Sequence, residues 1–163
     1  MSVSDCIFCR IAAGTAACEE IYQDEATLAF MDINPANDGH CLVIPKEHFE
    51  NVFDMPPALF GTVASTAAKV ARAVDEILQP GGINLTQANG AAAGQSVLHV
   101  HIHVLPRQAG DNLLMNWSRD SSDDRRFDSD RIAEIAERLL HAFAGDGRGI
   151  RRNAPQGRNR DVT

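Results

Sequence analysis

Apolar residues recur along this chain with two periods, and the change from one to the other marks out its elements. Phe60, Val63, Ala67, Val70, Val74 and Ile77 repeat at three and four, the spacing that puts side chains on one face of an α-helix. Pro56-Pro57 suits the start of that long helix, and Pro80-Gly81-Gly82 its end. Ile132, Ile135, Ala136 and Leu139 repeat likewise and predict a C-terminal helix over Asp130 to Phe143. A short first helix is expected over Cys6 to Ala13, capped by Asp5 and stopped by Gly14. Short apolar runs predict strands over Glu20 to Gln23 and Ala26 to Asp32, turned at Asp24-Glu25. The turn-rich loop Asn34 to Gly39 then leads into His40 to Pro45, and the last two strands are Ile83 to Asn89 and Val97 to Leu105. The class is α+β: an antiparallel β-sheet of about five strands, beginning as a meander, with a long helix and a C-terminal helix. No internal repeat is present.

The last strand alternates in an unusual way. His99, His101 and His103 fall at every second residue, with Val100, Ile102 and Val104 between them. On a strand this lines three imidazoles along one face while the other packs into apolar surroundings. Imidazole ligates metal, attacks phosphorus and exchanges protons near neutral pH. Just upstream, Asn89 to Ser96 is small, glycine-flanked and rich in amides, a loop whose backbone can approach a phosphate. By itself that loop reads equally as a hairpin connection.

Composition narrows the field. The 163 residues are enough for one domain with a proper core, 44% of them apolar and 23% charged. A formal net charge of -7 makes binding to a nucleic-acid backbone unfavourable, since lysine and arginine drive it. No apolar run approaches a membrane span, and Met1 to Asp5 does not resemble a secretory signal, so a cytoplasmic location is expected. In that compartment Cys6-x-x-Cys9 suggests a metal rather than a structural disulfide. Two small buried residues on a helix would give the same spacing. Cys18 and Cys41 are assigned to packing. The domain is expected to span 1–144, followed over 145–163 by a disordered basic tail with five arginines and little to bury.

Gly94-Gln95-Ser96-Val97-Leu98-His99-Val100-His101-Ile102-His103-Val104-Leu105-Pro106-Arg107 resembles the signature of the histidine triad (HIT) family. It is most similar to the bacterial branch related to nucleotide-binding phosphoramidases. Ile7-Phe8, Phe30-Met31-Asp32-Ile33-Asn34-Pro35 and His40-Cys41-Leu42-Val43-Ile44-Pro45-Lys46-Glu47-His48 carry the likeness in the same order. The likeness covers residues 5 to about 107 and thins beyond about 115.

This resemblance implies a structural zinc on Cys6, Cys9, His48 and His99. A closed set of four ligands leaves no position for activating water. It also implies that His101 attacks the α-phosphate and forms a nucleotidyl-imidazole. The carbonyl of His99 would fix the His101 tautomer. His103, His40 and Gln95 would face the phosphate oxygens, with Ser96 near the leaving group. Asp32 would accept the ribose hydroxyls, Phe8, Ile33 and Leu28 would flank the base, and Asn89 would bond sugar or phosphate. Taken alone, Asp32 reads equally as a turn cap and His40 as surface polarity.

The implied activity is hydrolysis of purine nucleoside 5'-monophosphate derivatives, such as phosphoramidates of AMP or GMP. Dinucleoside polyphosphate cleavage is the alternative within the same chemistry. A nucleotide-binding regulatory or scaffold protein with incidental turnover is the alternative outside it. A homodimer is also implied, paired through the long helix and a sheet edge. Leu113, Leu114, Met115 and Trp117 are expected to reach toward the partner's site.

Overall fold

The computed structural model describes residues 5–113 and 129–145. Leu114, Met115 and Trp117 lie outside those residues, as does the expected tail beyond Gly145. The elements are α1 (Ile7–Ala12), β1 (Glu20–Gln23), β2 (Thr27–Met31), β3 (Cys41–Pro45), α2 (Pro57–Leu78), β4 (Gly82–Thr86), β5 (Ile102–Arg107) and α3 (Ser129–Gly145). The strands form one antiparallel sheet in the order β1-β2-β3-β5-β4. The α+β class and the five strands are those expected.

Local chemistry explains the boundaries. Asp24 turns β1 into β2 because its Oδ1 accepts from the amides of Ala26 and Thr27, at 3.0 and 2.8 Å, and from the Thr27 hydroxyl. α2 begins behind Pro56 and ends where Gln79 turns left-handed at φ 47°, directly before Pro80. α1 departs slightly from expectation. Its N-cap is Cys6 rather than Asp5, with no side-chain cap, which places the first cysteine at the helix entrance.

Two cores lie on opposite faces of the sheet. Ala29, Met31, Cys41, Val43, Ile102 and Val104 face α2 and α3, meeting Val63, Ala67, Val70, Val74, Ile135 and Leu139. Leu28, Phe30, Leu42 and Ile44 face the other way and are covered by Cys6 and Phe8 of the α1 segment. β2 and β3 are therefore buried along their whole length. That accounts for their unbroken apolar runs.

The largest departure concerns the histidine strand. β5 starts at Ile102 instead of Val97, so His99 and His101 precede it and only His103 lies within it. The chain leaves the ladder because the Val100 amide donates to the Phe49 carbonyl at 2.7 Å, and the His99 amide turns back to Val97 at 2.9 Å. β4 likewise stops at Thr86, short of Asn89, where the Gln87 and Asn89 side chains bond to each other. Among the described residues no helix is long and apolar enough to cross a membrane.

Candidate functional site

Three separate pieces of chain bring four soft donors together. Cys6 and Cys9 come from the start of α1, His48 follows β3, and His99 precedes β5. Cys6 Sγ and Cys9 Sγ each lie 3.5 Å from His99 Nδ1. Cys9 Sγ is 3.1 Å from His48 Nδ1, and the two Nδ1 atoms are 3.3 Å apart. A tetrahedral ion with bonds of about 2.0 Å to nitrogen and 2.3 Å to sulfur separates its nitrogens by about 3.3 Å and nitrogen from sulfur by about 3.5 Å. The donors already stand at the spacing a metal needs. His99 is oriented for it, since its Nε2–H donates to the Pro45 carbonyl at 2.9 Å and leaves the Nδ1 lone pair turned inward. Burial, with Cys6 as neighbour, pushes the Cys9 thiol up to about 11, and burial holds His99 down near 4. A cation among them would draw the proton from sulfur.

His101 stands next along the chain. Its Nδ1–H donates to the His99 carbonyl at 2.7 Å, the partner expected from the sequence, so Nε2 carries the lone pair. Phe8 sets its ring edge-on at 5.3 Å between centroids. Burial lowers the pKa of His101 and takes that of His103 to about 3, so both rings are neutral at pH 7.

His40 is placed differently from the expectation that it faces phosphate. It is 2% exposed, and both its nitrogens are engaged inside the protein. The Ala36 amide donates to Nδ1 at 3.0 Å, which leaves the proton on Nε2, 2.9 Å from His103 Nδ1. His103 therefore carries its own proton on Nε2. Asp32 Oδ2 is 3.7 Å from His40 Nδ1, too far for a hydrogen bond, and burial keeps His40 neutral with a pKa near 4. Asp32, His40 and His103 cluster closely enough to suggest a second metal group. The Ala36 amide argues against it, because His40 Nε2 is a donor and not a ligand.

The residues expected around a nucleotide divide into two sets. Ile33 is 83% exposed beside Asp32, whose Oδ1 accepts from the Asn34 amide at 2.8 Å and so also caps the turn. Ser96 is exposed on the loop before the histidines. Phe8 and Leu28 instead belong to the smaller core, beneath any surface on which a base could rest. Gln95 is a correction. Its carboxamide accepts from Gly90 at 2.7 Å and donates to Glu50 and Val97 carbonyls at 2.5 and 3.0 Å, so it clamps the loop rather than facing phosphate. Asn89 is engaged in the same way, with Gln87 and the Val52 amide at 2.9 Å.

Sequence reasoning missed the groups that orient these side chains. The Pro45 carbonyl and Ala36 amide are backbone atoms and leave no trace in residue type. Asp111 leaves a faint one. It stands four residues after Arg107 between two left-handed turn residues, Gly110 and Asn112, and forms a bidentate pair with that arginine at 2.7 and 2.8 Å.

Comparison with known proteins finds relatives across the domain. The family described as "HIT domain" matches residues 14–110. The chain is 41% identical to "Protein hit" of Bacillus subtilis (strain 168) over 137 residues, covering 83% of this chain and 94% of that protein. It is 36% identical to "Adenylylsulfatase HINT3" of Arabidopsis thaliana over 118 residues, 72% of this chain and 58% of that one. A solved zinc-bound histidine triad family protein from Mycobacterium smegmatis superposes with a TM-score of 0.76 at 37% identity, covering 90% and 98% of the two chains.

Proposed function

Because the chain belongs to the histidine triad family, we propose that it hydrolyses purine nucleoside 5'-monophosphate derivatives at the α-phosphate, with phosphoramidates as the leading class. The observation that carries this reading is the bond from His101 Nδ1–H to the His99 carbonyl, which fixes the ring and leaves Nε2 unprotonated. In the first step a bond forms from Nε2 to phosphorus and the bond from phosphorus to the leaving group breaks. The leaving group takes a proton from the Ser96 hydroxyl, exposed on the loop before the histidines. Water then attacks phosphorus and gives a proton to Ser96, restoring its hydroxyl, while the P–N bond breaks and its electron pair returns to Nε2, leaving His101 neutral. The Nε2–H of His103, fixed by His40, supplies charge stabilisation to a phosphate oxygen. Asp32 receives the ribose hydroxyls through the oxygen not engaged with Asn34, and exposed Ile33 offers apolar surface to the base.

Zinc is the metal proposed for Cys6, Cys9, His48 and His99. Bound by these four residues, it would join α1 to the segment carrying His101 and would leave no position free for water, so its role would be structural. A homodimer is proposed as well. β4 is an edge strand, Leu85 on it is 47% exposed, and a cavity of about 180 Å³ lies between β4 and α2, lined by Phe60, Ala64, Leu85 and Thr86. Among the described residues, the buried Thr86 hydroxyl has no hydrogen-bond partner. A second copy laid along the same edge would cover Leu85 and the cavity. Similarity to a protein named an adenylylsulfatase favours testing a mixed anhydride of adenylate with sulfate beside the phosphoramidate.

Mixing the protein with a reactive adenylate and quenching in base should trap nucleotide on His101, and His101→Ala should abolish the adduct. Label on Ser96 or on a cysteine would overturn the mechanism. Steady-state rates on both substrates would then name the leaving group. No turnover of either would favour the scaffold reading.

A further inference from the structure

His40 keeps its proton on Nε2 only while the Ala36 amide stays on Nδ1, yet residues 33–39 form neither strand nor helix. Something must hold that loop to within a few tenths of an ångström, since a hydrogen bond weakens steeply beyond its usual length. Asn37 is suited to do so. Its carboxamide nitrogen donates to the Pro106 carbonyl at 3.0 Å and to Asp111 Oδ2 at 3.1 Å, and its backbone carbonyl accepts from the His40 amide at 3.1 Å.

The other end of this tie is firmly anchored. Asp111 is buried, bound by Arg107 and by the Gln108 and Leu113 amides, and Arg107 reaches across to Asn84 on β4 at 2.7 Å. Hydrogen bonding to Arg107 holds the Asp111 carboxyl well below the usual carboxylate range, so the anchor stays charged. Gly39 closes the other side. It sits at φ 81°, where any Cβ would run into Leu78, so the loop lies directly on the end of α2.

We propose that Asn37 is a positioning residue for the reacting histidines: by tying the loop to Asp111 and Pro106 it keeps the Ala36 amide on His40 Nδ1, and so decides which nitrogen of His103 presents a proton to the phosphate. The inference rests on the hydrolase reading for its kinetic consequence, but not for its tautomer consequence. Removing the Asn37 amide leaves Asp111 paired with Arg107, so the anchor survives and only the tie is lost. Removing Asn84 cuts another arm of the same anchor and leaves the tie intact.

The test compares Asn37→Ala with Asn84→Ala in the full chain. Long-range nitrogen–proton correlation spectra of 15N-histidine protein report the tautomers, and adenosine phosphoramidate turnover reports kcat and KM. In the wild type, His40 and His103 should both be neutral with the proton on Nε2. Asn37→Ala should move part of the His40 population to the Nδ1–H form and lower kcat by about tenfold to a hundredfold, with KM within about twofold. Asn84→Ala should change neither. If Asn37→Ala does not fold, Asn37→Ser carries the same comparison, with a smaller shift in the same direction. An unchanged His40 tautomer in the Asn37 variant, or an equal loss of kcat in Asn84→Ala, overturns the proposal. If the wild type turns over no adenylate, the hydrolase reading fails, and the spectra alone decide the role of Asn37.

Discussion

At His99 the Pro45 carbonyl takes the Nε2 proton, and Nδ1 is left as a lone pair among two thiols and a second imidazole. At His40 the Ala36 amide takes Nδ1, and Nε2 keeps its proton for His103. Both rings are buried and both are neutral. One backbone group, an acceptor in the first case and a donor in the second, suits one cluster to a metal and makes the other a relay of donors. Residue type sets what an imidazole can do, and the atom behind it selects which of those things it does.

The largest effect that would test this contrast comes from the thiols. Purified protein should carry one zinc per chain by elemental analysis. Cys9→Ser should lose it and with it about 3 kcal/mol or more, a fall in Tm of roughly 10 °C for a domain of this size. His40→Ala should keep its zinc. A Cys9→Ser protein that melts with the wild type would remove the metal half of the comparison.

Acid should act next, and on the other cluster. The folded pKa of His40 is near 4, below its ordinary value of 6.5, so the unfolded chain binds the proton first as pH falls. The stability associated with the neutral ring is thus complete above pH 6.5 and is lost between about 6.5 and 4, up to about 3 kcal/mol for this ring. His103, near 3, extends the loss to lower pH. Urea unfolding followed across that range should show the decline, and His40→Asn should flatten it. A curve that stays level in the wild type would mean that burial does not hold these rings neutral.

The alternating histidines, the Cys-x-x-Cys spacing and the period of α2 were all legible in the sequence, because each is a pattern of side chains. So was the His99 carbonyl behind His101, since a residue two positions back on an extended chain lies within reach. The start of β5 was not legible. Val97 to His101 has the alternation of a strand, and the Phe49 carbonyl, far back in the chain, together with the turn from His99 to Val97 draws it off the ladder. The bonds of Gln95 and Asn89 to the loop itself were not legible for a related reason. An amide side chain near a phosphate loop bonds a ligand or the loop itself, and the choice lies in a backbone path that composition does not encode.

The smallest effect should come from the C-terminus. Light scattering is expected to give twice the chain mass. Removal of residues 146–163, which leaves α3 ending at Gly145, should keep that mass and leave stability within about 0.5 kcal/mol and turnover nearly unchanged. Lost activity would assign the tail a role that its composition does not suggest. A monomer of full activity would leave the bare edge of β4 unexplained.

The burial of β2 and β3 on both faces bears on how this chain can vary over generations. In a strand with one wet side, every second position can drift without touching a core. In these two strands every position meets packed neighbours above or below, so neither offers a register in which neutral change can accumulate. The loop carrying Asn37, which joins them, is held between Asp111, Pro106 and the end of α2 and offers no more freedom. Diversity among relatives of this chain should therefore collect outside the whole stretch from β2 to β3, on the exposed faces of α2 and α3.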